Sequence, residues 1–562
     1  MRNVLLGVFL GALVLWFLPG PAHAAGALVL AAVLPGALLG ALIERTRPLG
    51  IGPLGTVVAS VSLTYVVGMA VNAVAALFGT AFTATWSLIG QALLIAVLLG
   101  ICWWRLPRRI AVAIPAFPVR TALGLAALAL LPLAAVGAAS WLNNTGSSLG
   151  PLFVLAAVVV ACAFAWLRPG SPLMLPALYA SALAVMLLGA WRGDHFSGID
   201  QSKEFFLADL VTRTGHWTPG LSIDAYNSSL GVTILPVHLS HLFGVDLSTA
   251  FRLLIPAGYA LVPVLIASLY RHVRAPRIGV LAAFLFLAQP AFVDWGPVPV
   301  RQMVAFLFFA AAIRIMFDRE APARLRNVGL LATGALLILS HYSTAYLTLP
   351  LLVIGTVLAQ IAQRRLRGRS SEPVLRANWA VLGLLVVFAV VWLGPITGVS
   401  SNLAETSRSS ARVLSTTGFS PFGSVGYAPG TGLADQLGLG PQTQPRDEVF
   451  EDYQDYAEAK AGEIGIRPLT PREDAGPIWL LPADERPAEQ TWWGSILLVL
   501  ETVVKQMMRL LLAVGLVVVV VRFIRGRLPL PGLSSYAVAA GTLLGLVVVV
   551  PVASIAYDVG RT

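Results

Sequence analysis

The chain runs almost end to end through apolar windows about 20 residues long, broken by short polar loops. A bilayer offers no water to pair with backbone N–H and C=O groups, so such windows must satisfy themselves as helices. Of the 562 residues, 57% are hydrophobic and 12% charged, and mean hydropathy is +0.80. Soluble domains carry about 25% charged residues, so this composition excludes an ordinary soluble fold. The expected fold class is all-α. It is a polytopic integral membrane protein with about fifteen transmembrane helices, interfacial helices and a hydrophilic outer loop region.

The net charge of +11 raises the question of nucleic acid, which its distribution answers. The basic residues sit in small groups between apolar windows: Arg105, Arg108 and Arg109, then Arg271, Arg274 and Arg277, then Arg364, Arg365, Arg367 and Arg369. Short basic loops at membrane exits set orientation by the positive-inside rule, so the charge reports topology and no nucleic-acid partner is expected. The partner that composition does require is a lipid bilayer. Cys102 and Cys162 both lie in apolar windows and read as inert packing residues.

The N-terminal run Val4–Leu18 with Ala22-His23-Ala24 imitates a secretory signal, but keeping it as a first span makes every later loop obey one sidedness. Residues 1–190 then form N-terminal membrane helices, and Trp191 emerges on the outer face. Residues 191–398 form a membrane core with an outer acidic loop. An amphipathic stretch over 198–217 is expected to lie in the interface with its apolar side in lipid, and 230–243 along or just into the membrane. Residues 399–491 form an extracytoplasmic region, where 14 acidic against 7 basic side chains leave a net of −7. Residues 492–562 return as C-terminal membrane helices, with Glu501, Lys505 and Arg509 forming a charge ladder at helical steps. The whole fits a multi-pass protein of the plasma membrane.

On that topology the sparse polar groups at membrane level share the extracytoplasmic side: Asp194, His195, Asp200, Glu204, Arg301, Gln302, His341, Tyr342 and Ser343. Polar groups at that depth are costly to desolvate and mark sites. Asp200 and Glu204, four residues apart, fall on one helix face and are the catalytic candidates. A carboxylate there can act as general base toward a hydroxyl, or the pair can hold a divalent cation such as Mg²⁺ or Mn²⁺ against a phosphate. The bland alternative is a solvated face neutralised by Lys203 or Arg213. Arg301 suits a bidentate phosphate contact, against simple interface snorkelling. His341, Tyr342 and Ser343 in a tight hairpin suit sugar hydroxyls or a phosphate, against a polar cap on two helix ends. Asp194 and His195 are supporting candidates. Trp217 suits stacking on a sugar ring, against membership of an interfacial aromatic belt.

The run Asp200-x-x-x-Glu204, then Gly215-His216-Trp217, then Tyr226-Asn227-Ser228-Ser229-Leu230-Gly231-Val232-Thr233-Ile234-Leu235-Pro236 resembles a family of polytopic membrane proteins. Their organisation is similar to glycosyltransferases of the C superfamily. Arg301-Gln302 and Ser340-His341-Tyr342-Ser343-Thr344 look like later landmarks of the same family. The likeness covers roughly residues 190–350. It implies a sugar donor on a polyprenyl phosphate, a glycan, lipid or protein acceptor, an inverting displacement, and an outer-loop acid as base or metal ligand. That role falls on Asp200, with Glu204 second. The chain departs from the simplest pattern of that superfamily, because about seven spans precede its acidic loop. Two other readings stay open: a transporter or flippase for a lipid-linked glycan, and a glycan polymerase or ligase. A non-catalytic scaffold comes last.

Overall fold

The computed structural model describes residues 2–43, 52–105, 118–145, 147–192, 196, 199–222, 224–271, 275–289, 292, 300–365, 374–399, 492–525 and 531–549. All the regular elements are helices, with no strand among the described residues. The first helices are α1 (Arg2–Trp16), α2 (Pro21–Ile43), α3 (Gly52–Phe78), α4 (Ala84–Arg105), α5 (Val119–Thr145), α6 (Leu149–Leu167) and α7 (Met174–Ala190). Then come α8 (Ile199–Thr214), α9 (Leu230–Phe243), α10 (Leu247–Tyr270), α11 (Pro276–Leu287) and α12 (Val300–Met316). The last are α13 (Ala323–Ser340), α14 (Tyr342–Arg365), α15 (Trp379–Ile396), α16 (Trp492–Ile524) and α17 (Pro531–Val549).

Nine of the described helices are long and apolar enough to cross a membrane, which fits a multi-pass membrane protein. α1, α7 and α11 are shorter apolar helices. Two compact units partition the chain, Met1–Glu405 with Val521–Ala540, and Thr406–Val520 with Gly541–Thr562. In the second, helical turns around Leu516 and Gly541 lie close together. The acidic stretch 400–491 and the side chains of Glu501, Lys505 and Arg509 lie outside the described residues.

The first unit is organised around α9. Ser229 and Gly244, the latter at φ +59°, bound this helix, and every side chain from Leu230 to His238 is buried. It packs against α3, α4, α8, α12 and α13. The segment expected along or just into the membrane is enclosed by other helices, and α9 is the hub of the core. Small residues allow that crowding, since a Cβ on Gly231 would press on Ser340 and Val304.

α8 also differs from expectation. Its apolar residues Leu207, Ala208 and Val211 are buried against the protein, together with Gln201 and Glu204, while Phe206 is exposed. The apolar face turns inward because α9 and α12 pack against it, and α12 also supplies Val300 N–H and Arg301 to pair Glu204 on the same face. Lipid could satisfy only the apolar ones. Cys102 and Cys162 are free, buried and surrounded by apolar side chains, as inert packing requires.

Candidate functional site

The site forms where α8 crosses the N-terminus of α12 beside the α13–α14 junction. Glu204 is fully buried. Its Oε2 accepts the Val300 backbone N–H at 2.7 Å, and its Oε1 accepts the Arg301 Nη1 at 2.6 Å and the Arg301 backbone N–H at 3.4 Å. The carboxylate thus caps a helix 96 residues downstream, where the unpaired N–H groups and the helix dipole favour an anion. Burial pushes its pKa up to about 7, against the opposing pull of Arg301 and the Val300 N–H.

One turn earlier, Asp200 occupies a different environment. Its side chain keeps 16% exposure, against none for Glu204. Oδ1 accepts the Tyr226 hydroxyl proton at 2.8 Å, and Oδ2 stands 3.6 Å from Arg301 Nη2. The two carboxylates expected on one face are therefore unlike: Glu204 is saturated and sealed, whereas Asp200 is oriented and reachable. The Arg301 guanidinium bridges them, filling the space that a cation between them would need. These two residues do not fit a divalent-metal cradle, and among the described residues no group of three or more His, Cys, Asp or Glu could hold a metal.

Arg301 itself is buried, with its plane 3.5 Å from the centre of the Tyr226 ring. The Lys203 ammonium lies 4.7 Å from the same ring and forms an ion pair with Asp224 at 2.5 Å. Asp224 in turn accepts the Tyr226 backbone N–H, opening the short 3₁₀ turn that carries this tyrosine. Tyr226 is thus held by both backbone and ring, with its hydroxyl on Asp200. Spacing alone does not single it out. The only local signal is an aspartate two residues earlier, which predicts an Asx cap and says nothing of a contact 26 residues back.

His341 is the one extended residue between α13 and α14, at φ −159° and ψ 117°, so the expected hairpin narrows to a single-residue joint. Its Nδ1 bonds with Thr344 Oγ1 at 2.7 Å, while its buried Nε2 has no partner among the described residues. Burial, helped by the Arg301 charge, holds this imidazole well below its usual pKa, so it is neutral. Tyr342 packs edge-on to His341, and Tyr346 follows one turn later with a buried hydroxyl that lacks a partner. Arg301 Nε is also buried with no partner among the described residues. Buried polar atoms are rarely left unpaired, so these atoms could meet a polar ligand. Gln302 is buried beside Arg301. Asp194 and His195 lie outside the described residues.

Trp217 belongs elsewhere. Its indole N–H donates to both oxygens of Asn227, its backbone bonds Asn72 in both directions, and its ring stacks on Trp392. With 9% exposure it is a core residue, neither a sugar platform nor part of an interfacial belt. Asn227, which heads a glycosylation-like triplet, spends its amide on the carbonyls of Thr218, Pro219 and Ser222 and is equally buried.

The raised Glu204 pKa makes a checkable statement about pH. The folded state holds this proton more tightly than the unfolded chain, whose carboxyl titrates near 4.5. The contribution is therefore fully present below pH 4.5 and lost as pH rises through about 7. Glu204→Gln is expected to flatten that part of the stability profile, measured by thermal unfolding in detergent from pH 4.5 to 8. An unchanged slope would mean that another group carries it.

No protein-family model matches this chain, and neither a curated protein nor a solved structure matches it.

Proposed function

We propose that this chain is a membrane glycosyltransferase. It moves a sugar from a polyprenyl-phosphate donor to a hydroxyl of a glycan, lipid or protein acceptor at the extracytoplasmic face of the plasma membrane. The reading takes the chain as about fifteen spans, counting shorter apolar helices as crossing the bilayer. The observation that carries it is the asymmetry of the acid pair, with one carboxylate sealed as a helix cap and the other oriented and accessible. A solvated helix face would need neither the seal nor the orientation.

In this reading Asp200 takes the acceptor O–H proton as the acceptor oxygen attacks the anomeric carbon from the face opposite the phosphate. The bond from that carbon to the phosphate oxygen breaks, and polyprenyl phosphate leaves with the electron pair. Tyr226 and Arg301 hold Asp200 in place. The unpartnered His341 Nε2 and Tyr346 hydroxyl, with Tyr342, Ser343 and Gln302 beside them, meet the donor's phosphate and sugar hydroxyls. Arg301 acts mainly as counter-ion to the two carboxylates, with Nε left for a ligand. No step runs through a metal.

The test uses the purified chain in proteoliposomes loaded with radiolabelled polyprenyl-phosphate sugar and an acceptor extract. A transferase breaks the sugar–phosphate bond and releases polyprenyl phosphate. A flippase moves the donor across the bilayer intact, and translocation without cleavage would overturn the reading. Transfer confined to long preassembled glycans would overturn it in favour of a polymerase or ligase.

A further inference from the structure

A second place on the same unit is equipped for a ligand and has no part in the proposed reaction. A cavity of about 340 Å³ opens at the N-terminal end of α13, lined by Arg326, Asn327, Arg376, Asn378 and Trp379 over apolar residues such as Leu330. α13 is 18 residues long and ends at Ser340, beside the candidate site. Arg326 and Asn327 precede Ser340 by 14 and 13 residues, so at 1.5 Å per residue they lie about 20 Å from it along one candidate span.

The charges here are arranged unlike those around Asp200. Arg326 donates to the carbonyl oxygens of Asp318 and Ala321. With the Gln360 amide turned so that its oxygen faces these donors, it accepts Arg376 at 2.8 Å and the Trp379 indole N–H at 2.6 Å. Neutral acceptors thus aim both guanidiniums, and no acidic residue is among the described residues lining the cavity. The segment 374–378 that carries Arg376 is non-helical and is pinned by Tyr536, whose hydroxyl accepts the Ala377 N–H at 3.0 Å and bonds Thr356 at 2.7 Å. The first turn of α15 starts at the rim, capped by Asn378, and adds its partial positive charge.

An apolar track leaves from the same rim. Leu384, Val387 and Val391, each exposed by 43% or more, recur at steps of three and four along one side of α15, and the half-exposed Trp379 stands at the start of the same helix. Arginines held by neutral acceptors at a span's end, a tryptophan beside them and an outward apolar stripe match an amphiphile with an anionic head. We propose that this cavity binds the phosphate of an anionic phospholipid, with its acyl chains along the α15 stripe. A soluble phosphate shares the headgroup chemistry; the stripe is what favours the lipid.

The full-length protein in a mild neutral detergent is titrated with dioctanoyl phosphatidylglycerol, dioctanoyl phosphatidylcholine and inorganic phosphate, with binding read by native mass spectrometry. The anionic lipid is expected to bind at least about tenfold more tightly than the zwitterionic one, and excess inorganic phosphate should not displace it. Arg376→Gln should weaken it about tenfold while Arg376→Lys keeps most of the affinity. Asn378→Asp provides a variant that keeps its fold, since aspartate caps a helix as well as asparagine, and its charge should repel the headgroup. Equal affinity for the two lipids, or undiminished binding in both Arg376→Gln and Asn378→Asp, would overturn the site. Displacement by inorganic phosphate would overturn the lipid assignment.

Discussion

Glu204→Ala is expected to lower stability by about 3–5 kcal/mol, because it strands a buried arginine. Arg301 is 4% exposed, and its strongest contact is the 2.6 Å pair with Glu204; Asp200 at 3.6 Å is a poorer substitute. The same change uncaps α12, whose Val300 and Arg301 N–H groups would lose their acceptor, a further cost of about 1 kcal/mol. Glu204→Gln should lose less, since its amide oxygen still accepts. The double variant Glu204→Leu/Arg301→Met separates the ion pair from mere packing. Removing both charges strands no buried ion, although α12 stays uncapped as in Glu204→Ala, so the double variant should be more stable than Glu204→Ala despite changing more atoms. Thermal unfolding in detergent reads all three. A double variant less stable than Glu204→Ala would mean that Arg301 contributes through its stack on Tyr226 and not through its charge.

The contrast between Glu204 and Asp200 also marks where sequence stops being informative. Helix positions were legible because apolar windows of bilayer length have one solution: α3, α4, α6 and α14 fall close to the apolar windows at 51–78, 86–104, 151–167 and 345–362. Placing Asp200 and Glu204 on one face needed only the 3.6-residue repeat. What that repeat cannot convey is which neighbour each carboxylate meets, since Val300, Arg301 and Tyr226 arrive from other segments. The inward turn of α8 escaped for a related reason. An amphipathic pattern predicts an apolar surface opposite it without saying whether that surface is lipid or α9. Trp217 misled in the same way, because an isolated tryptophan near a polar turn reads as interfacial until Asn72, Asn227 and Trp392 close around it. The span count was the least legible quantity, since α7 and α11 are apolar yet too short to be assigned by length.

Asp200→Asn is expected to reduce kcat for sugar transfer by about 10²–10⁴-fold, the usual contribution of a positioned general base, with KM changed little. The substitution is nearly isosteric, and the amide oxygen can still accept the Tyr226 hydroxyl now held at 2.8 Å. The fold should therefore survive with a loss of about 1 kcal/mol. What disappears is the ability to take a proton from the acceptor. Tyr226→Phe supplies the graded comparison: it leaves the carboxylate but frees it to rotate, so kcat should fall by about tenfold, as for one lost hydrogen bond. If Asp200 only helped to hold Arg301, the two variants would instead raise KM together and leave kcat intact. Full transfer by a stably folded Asp200→Asn protein would remove the base from Asp200. The accessible carboxyl would then serve binding alone, and the proton acceptor would have to be sought beyond the Asp200–Glu204 pair.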